Sequence, residues 1–187
     1  MSVTGTLREI GLFPVKSTRG LFPPSAPVGP DGLDGDRAFA VLDAAGDVLA
    51  AKRHPALARL TPVPSPAGPR LAVPGDVPLE DFLGVPGAVV GPVPGGARQV
   101  AAVHVVTVRQ RAAAGAGDTS RANLVLDLPG PDEPPAGDWV GRGLRVGAVH
   151  LEVVAVPRHC GGAFARVRTP GTVRVGDVAE LLPAGPG

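Results

Sequence analysis

The single cysteine of the chain, Cys160, follows a run of β-type residues and has two basic side chains directly before it. The run extends from Leu151 to Val156, and Arg158 and His159 precede the thiol. Nearby positive charge favours the thiolate, which is the form of cysteine that ligates metals and attacks electrophiles. A lone cysteine also serves as a small buried hydrophobic residue. The position of Cys160 therefore predicts a reactive or metal-ligating thiol, with a structural role as the alternative.

Further polar residues that could take part in binding or catalysis lie at the ends of predicted strands and in turns. Arginine gives bidentate contacts to phosphate, lysine a point charge and serine a neutral donor. Together such residues suit an anionic, phosphate-bearing ligand, and a nearby thiolate would be a soft ligand for a thiophilic metal. Each also has an ordinary alternative as a solvated charge, an ion pair or a turn cap. The residues are Lys16, Ser17, Arg19, Arg37, Arg121 and Asn123.

The histidines outside this set are predicted to be structural or surface residues. His54 and His104 have no second histidine, cysteine or carboxylate at metal-ligand spacing. A protein metal site of the zinc type requires several such ligands. Neither residue is therefore expected to bind a metal.

Composition excludes several classes of function. The chain has 187 residues with 44% hydrophobic residues, a net charge of +1, 3% aromatic residues and no tyrosine. This balance argues against nucleic acid as a partner. One cysteine cannot form an internal disulfide and fits a reducing compartment. No basic and apolar leader begins the sequence, and no apolar run approaches ~18 residues, so we expect a cytoplasmic protein without a membrane partner.

Glycine and proline mark the boundaries of short Val, Leu and Ala runs, which is the pattern of many short strands joined by tight turns. One short helix is predicted at Pro55–Leu60. A turn is predicted at Gly29–Gly32, and a hairpin turn at Ala44–Asp47 is predicted to join the strands 38–43 and 48–51. Prolines between residues 61 and 98 prevent long β-ladders, so a boundary is placed there, giving an N-terminal β lobe over 1–98 and a barrel core over 99–187. The fold class predicted is mainly β, a barrel with a few short helices. Strands are predicted at 5–15, 25–29, 38–43, 48–51, 71–73, 88–90, 100–108, 124–128, 144–147, 149–156, 164–167 and 173–178.

Six stretches resemble, in order, the motifs of MOSC proteins, the molybdenum cofactor sulfurase C-terminal domain superfamily. Each motif is short, but their collinearity over nearly the whole chain makes a chance match improbable. The stretches are FPVKSTRG at 13–20, GLDGDRAF at 32–39 with the following DAAG and PAL, RANLV at 121–125, WVGRGLRVG at 139–147, HC at 159–160 and VRVGD at 173–177.

The resemblance implies a MOSC-type β-barrel, preceded by a reduced N-terminal β lobe, that binds the molybdenum cofactor (molybdopterin). Cys160 corresponds to the cysteine that ligates molybdenum in the family's reductases, and His159 beside it is a candidate proton donor. The resemblance places the pterin and its phosphate against Lys16, Ser17 and Arg37, with Arg19, Arg121 and Asn123 at the same site. The fused sulfurases of the family carry a preceding pyridoxal-phosphate domain that this sequence does not resemble, so pyridoxal phosphate is not expected to bind to this chain. An iron–sulfur cluster is not expected either, because there is no further cysteine in the sequence.

Three functions follow as hypotheses. The first is a molybdenum-dependent oxidoreductase that reduces N-hydroxylated small molecules with electrons from a separate donor protein. The second is a carrier of a Cys160 persulfide or of intact cofactor. The third is a non-catalytic binding barrel, because Ala122 and His159 stand where the family has proline and arginine. The sequence leaves the oligomeric state, the physiological substrate and the electron donor undefined.

Overall fold

The computed structural model describes residues 2–96, 101–113, 115, 117–128 and 133–183, and in them short strands predominate. There are two short α-helices, α1 (Leu79–Leu83) and α2 (Val108–Ala112), and 3-10 helices at Pro55–Arg59, Pro74–Asp76 and Ala136–Trp139. No helix in the described ranges is long and apolar enough to cross a membrane. The strands are β1 (Val3–Ile10), β2 (Ser25–Gly29), β3 (Gly32–Leu33), β4 (Phe39–Leu42), β5 (Thr61–Val63), β6 (Arg70–Ala72), β7 (Val89–Pro92), β8 (Val103–Thr107), β9 (Leu124–Asp127), β10 (Gly143–Val146), β11 (Val149–Ala155), β12 (Ala163–Thr169), β13 (Gly171–Arg174) and β14 (Val178–Leu181).

The chain forms two compact units, and it passes between them more than once. The barrel unit comprises residues 1–11, 22–34 and 100–187, and the lobe unit comprises 12–21 and 35–99. The predicted division between residues 98 and 99 lies outside the described residues. β1 and residues 22–34 are part of the barrel unit, although they precede the lobe unit's main segment in sequence.

Seven strands close the barrel, in the order β1, β14, β10, β11, β12, β8, β9. The pairs are antiparallel except for β8 and β9, which run parallel with Val105 opposite Leu124. A separate three-stranded sheet in the same unit contains β13, β2 and β3, with the predicted Gly29–Gly32 turn joining β2 and β3. The prediction of a mainly β fold with a barrel and a few short helices is confirmed.

The first barrel strand carries a β-bulge that aligns its core residues. Leu7 and Ile10 are three positions apart, which in a regular strand would direct them to opposite faces. Both are nevertheless fully buried, because the pairing of β1 with β9 shifts register between Leu7 and Glu9. The strand ends at Ile10, so the predicted continuation to Val15 is wrong.

The lobe unit is built around a small apolar core. The 3-10 helix at Pro55–Arg59 contributes Leu57, which confirms the predicted short helix. The predicted hairpin partner of β4, residues 48–51, is reduced to one bridge between Leu42 and Val48, and β4 instead pairs with β7. The buried residues of this core are Val15, Val41, Leu49, Leu57, Leu60 and Ala88.

One further local prediction is wrong, and one short helix was not predicted. The stretch predicted as one strand over 173–178 is two strands, β13 and β14, separated by a turn in which Gly176 adopts φ +95°. The Asp177 carboxylate accepts a 2.8 Å hydrogen bond from the backbone N–H of Arg174 and so closes this turn. The short helix α2 was not predicted, and its start is fixed by reciprocal hydrogen bonds between Thr107 and Gln110.

Candidate functional site

In the lobe unit, the segment of residues 13–20 lies directly beside the segment that contains Arg37. The backbone N–H of Arg37 donates to the carbonyl of Phe13 at 2.8 Å, and the N–H of Lys16 donates to the carbonyl of Phe39 at 2.8 Å. These bonds hold the two segments parallel. We call residues 13–20 and 35–37 the basic turn pair. The structure therefore brings Lys16, Ser17 and Arg37 onto adjoining backbone segments.

Asp36 connects the two segments of the basic turn pair. Its carboxylate accepts a 2.8 Å hydrogen bond from the backbone N–H of Phe13 and forms an ion pair with the guanidinium of Arg37. The guanidinium carbon also lies 5.1 Å from the centroid of the Phe13 ring, within cation–π range. Arg37 is thus held by a carboxylate and by an aromatic ring. The sequence suggested only that Arg37 pairs with Asp34 or Asp36, because the bond between Asp36 and Phe13 joins residues 23 positions apart.

Two residues of the basic turn pair have left-handed backbone conformations that side chains rarely adopt. Ser17 has φ +69° and Arg37 has φ +53°, and only Asp76 shares this property among the non-glycine residues that the structure describes. Each such residue costs on the order of 1–3 kcal/mol, and such strain clusters at functional sites. The strain therefore marks Ser17 and Arg37 as residues that the surrounding contacts force into place.

The backbone that follows Ser17 is also held in place by specific contacts. The Thr18 hydroxyl donates to the Val15 carbonyl at 2.9 Å, and its side chain is buried. A Cβ on Gly20 would lie 2.5 Å from the Phe13 ring, so this position requires glycine. Arg19 is exposed and its backbone N–H donates to the Leu60 carbonyl at 2.9 Å. The backbone at the candidate binding residue Arg19 is thus held by the segment that contains Leu60, whereas the backbone at Lys16 is held by Phe39.

In the barrel unit, Cys160 is a free, half-buried thiol whose backbone forms a bridge with Gly117. Burial raises the pKa of the Cys160 thiol, and the negative charge of Asp118 raises that pKa further. The prediction that basic neighbours favour the thiolate is therefore wrong. Arg158 and His159 are exposed, and the charged group that acts on the thiol comes from a segment remote in sequence.

His104 supports the turn that follows Cys160. Its Nε2 atom lies 2.9 Å from the carbonyl oxygen of Gly161, and since a carbonyl only accepts, Nε2 carries the hydrogen. The ring also packs against Phe164 with centroids 5.1 Å apart. The side chain is buried, as expected of a structural histidine. Its contact with the cysteine turn was not apparent from the sequence.

Asn123 joins strands by its side chain. Its Oδ1 accepts a 3.0 Å bond from the backbone N–H of His104, and its Nδ2 donates to the carbonyl of Gly11 at 3.1 Å. The residue is 1% exposed, so these bonds satisfy polar atoms that solvent does not reach. Arg121 is half-buried in the turn before β9. A cofactor contact for Asn123 or Arg121 remains a prediction.

The predicted site residues are divided between the two units. The lobe unit holds Lys16, Ser17, Arg19 and Arg37, and the barrel unit holds the remaining four, Arg121, Asn123, His159 and Cys160. Among the residues that the structure describes, no three side chains of histidine, cysteine, aspartate or glutamate are grouped as a metal site would require.

Comparison with known proteins agrees with the fold and with the first motifs. Residues 4–86, a little under half of the chain, match the family model of the MOSC N-terminal beta barrel domain, which supports the resemblance of the motifs at 13–20 and 32–39 to that family. Among solved structures, the chain is similar to the YuaD protein from Bacillus subtilis, with 11% identity, 97% of each chain covered and a TM-score of 0.52. At that identity the likeness concerns the fold alone. No curated protein matches the chain.

Proposed function

We propose that this protein binds the molybdenum cofactor, with Cys160 as the protein ligand of the metal and with Lys16, Ser17 and Arg37 of the basic turn pair holding the pterin phosphate. The observation that carries the proposal is the strained, cross-connected basic turn pair, in which Ser17 and Arg37 both have positive φ. Strain of this kind persists only where surrounding contacts maintain it. MOSC domain proteins are associated with this cofactor, which gives the site its expected ligand.

The chemistry of the basic turn pair fits a phosphate. Asp36 and the Phe13 ring hold the Arg37 guanidinium in position, so an incoming phosphate meets a preorganised cation. Lys16 adds a second positive charge from the adjoining segment, and Ser17 supplies a hydroxyl donor. Lys16 and Ser17 are half-buried, which strengthens charge-assisted hydrogen bonds relative to those at a fully solvated surface.

The chemistry of Cys160 fits a metal that arrives with its other ligands. A single thiolate is a soft ligand suited to a thiophilic metal, but it cannot hold a bare ion by itself. The described residues offer no cluster that would complete such a site. Cys160 is a thiol near neutral pH because its pKa is raised, and metal binding releases the proton.

We further propose that the activity is reduction of N-hydroxylated small molecules. When bound, the cofactor supplies a metal centre that exchanges two electrons with the substrate. In the overall reaction the N–O bond breaks, two electrons and two protons enter, and an amine and water leave. The exposed His159, next to Cys160, is the residue proposed to deliver a proton.

This reaction needs electrons from a separate donor protein. The proposal also places the protein in the cytoplasm, where a reducing environment maintains the free Cys160 thiol.

The structure favours this function over the persulfide carrier. Persulfide formation begins with nucleophilic attack by the thiolate, and a raised pKa reduces the thiolate fraction at neutral pH. A metal must displace the same proton, but its positive charge stabilises the thiolate that results.

The test is the molybdenum and pterin content of protein purified natively from a host with ample cofactor. Wild type is expected to contain both, and Cys160→Ala to contain much less molybdenum. Lys16→Gln is expected to lower pterin content, whereas Lys52→Gln, which changes the chain's other lysine, an exposed one in the same unit, should not. Wild-type protein without pterin or metal, or Cys160→Ala with full metal and full benzamidoxime reduction, would contradict the proposal.

A further inference from the structure

The lobe unit contains a groove that the sequence analysis did not identify. It has a volume of about 360 Å³. Three of its lining residues, Arg19, Arg59 and Thr61, are polar, and the other three are apolar. We call it the two-arginine groove. Its lining residues are Arg19, Arg59, Thr61, Ala72, Val73 and Pro74.

The surrounding fold positions the backbone of Arg19 and the side chain of Arg59. The backbone N–H of Arg19 donates to the Leu60 carbonyl at 2.9 Å, which connects the basic turn pair to the end of the neighbouring 3-10 helix. The guanidinium carbon of Arg59 lies 5.1 Å from the centroid of the Phe82 ring, which limits the conformations of that long side chain. Thr61 begins β5 and is paired with Ala72. The polar lining is therefore held by regular structure.

The charges of the groove are unbalanced. None of its six lining residues carries a carboxylate, and within the described part of the chain neither Arg19 nor Arg59 forms an ion pair. Other arginines of the chain behave differently, since Arg145 pairs with Glu180 and Arg166 with Glu152. Two like charges beside one concave surface create a positive potential that attracts an anion.

We propose that the two-arginine groove binds the phosphate group of a small organic phosphate, separate from the phosphate assigned to Lys16, Ser17 and Arg37. The two guanidinium groups supply charge-assisted hydrogen bonds and the Thr61 hydroxyl a neutral donor. Ala72, Val73 and Pro74 form an apolar wall suited to the carbon part of the ligand. The identification of this ligand as the substrate rests on the proposed function, and it narrows the substrate to a phosphorylated compound.

The direct test is a titration of cofactor-free, full-length protein with inorganic phosphate, followed by NMR of the arginine Nε–Hε signals. The signals of Arg19 and Arg59 are expected to shift together with one dissociation constant. Arg19→Gln and Arg59→Gln should each weaken binding at this site about tenfold or more, the loss expected for one charged hydrogen-bonding group. Arg59→Lys, which keeps the charge but loses the bidentate fork, should give a smaller loss.

The matched control is Arg53→Gln, which removes an exposed arginine of the same unit that does not line the groove. It should leave phosphate binding unchanged. Equal effects of Arg53→Gln and Arg59→Gln, or an absence of shifts at Arg19 and Arg59, would overturn the proposal.

A second measurement distinguishes the two possible sources of the phosphate. Arg59→Gln protein purified from a cofactor-rich host should retain the pterin content of wild type. A several-fold fall in pterin would assign the groove to the cofactor's own phosphate and overturn a separate site. Wild-type protein that lacks cofactor but still shows the groove titration would refute the proposed function alone, so the two failures are distinguishable.

Discussion

The carboxylate of Asp36 accepts a 2.8 Å hydrogen bond from the backbone N–H of Phe13, although the two residues are 23 positions apart in sequence. Asp36 also pairs with its neighbour Arg37, whose guanidinium lies over the Phe13 ring. One carboxylate therefore fixes both the course of the first segment and the position of the cation. Asp36 is a positioning residue of the candidate phosphate site.

Replacement of Asp36 is expected to destabilise the protein and weaken the site. Asp36→Ala leaves the buried N–H of Phe13 without its acceptor and Arg37 without its counter-charge, at a cost of about 1–3 kcal/mol in the free energy of unfolding. Urea denaturation measures this change. Asp47→Ala, at an exposed turn position, should have little effect. Equal stabilities of the two variants would show that Asp36 does not join the segments.

The ionisation of Cys160 provides a second prediction. Because burial and the charge of Asp118 raise its pKa, the rate of alkylation by iodoacetamide should rise with pH along a curve whose midpoint lies above that of an exposed thiol. Asp118→Asn removes the charge and should move the midpoint to lower pH, whereas Asp138→Asn, an exposed change in the same unit, should not. A midpoint below that of an exposed thiol would refute this account of the environment.

His104 is expected to control the turn after Cys160. His104→Ala removes the donor to the Gly161 carbonyl and should lower the free energy of unfolding by about 1–3 kcal/mol. It should also increase the alkylation rate of Cys160 at fixed pH, because the turn loses its support. His104→Gln, which retains an N–H donor, should restore part of both quantities, and the exposed His150→Ala serves as control. A purely packing role for His104 would give no difference between the alanine and glutamine variants in thiol reactivity.

A side chain at Gly117 is expected to destabilise the protein because it would collide with the backbone at His159. Gly115 has a similar backbone conformation without such a neighbour and serves as the comparison. A Cβ at Gly117 would lie 2.2 Å from the carbonyl oxygen of His159, and its φ is +65°. Gly115 has a similar φ of +79° with nothing near its Cβ position. Both alanine variants bear the cost of the left-handed conformation, about 1 kcal/mol, but only Gly117→Ala also displaces the strand bridge to Cys160.

Gly117→Ala is therefore expected to be at least about 1 kcal/mol less stable than Gly115→Ala in thermal or urea unfolding. It should also change the reactivity of Cys160, which Gly115→Ala should leave as in wild type. Equal stability and reactivity of the two variants would mean that the bridge is dispensable.

The sequence predicted where the strands lie better than it predicted which strands pair with each other. The alternation of apolar residues located most strands, and the Gly29–Gly32 turn was predicted correctly because turn chemistry is local. The parallel pairing of β8 with β9, and the pairing of β4 with β7, depend on contacts between distant segments. No local pattern encodes such pairing. The strand that follows β4 after a short turn, residues 48–51, was therefore predicted as its partner.

At the candidate site, too, the sequence identified the residues but not their contacts with distant parts of the chain. Residue types and family motifs identified Lys16, Ser17, Arg37 and Cys160, but not the groups that act on them. His104 and Gly161 are 57 positions apart, and the pKa of Cys160 depends on Asp118 more than on its sequence neighbours. Charge next to a residue in sequence was a poor guide to charge next to it in space, since the side chains of Arg158 and His159 are directed to solvent.

The closure of the barrel by β1 and β14 has a consequence for synthesis on the ribosome. Val3 is paired with Leu181, so β1 is synthesised long before the strand that becomes this neighbour. Until then β1 presents an unpaired edge, which is a site for aggregation or for chaperone binding. Contacts of such long sequence separation also slow folding. Production of this protein in a foreign host should therefore depend on translation speed and chaperone supply more than on the stability of the finished barrel.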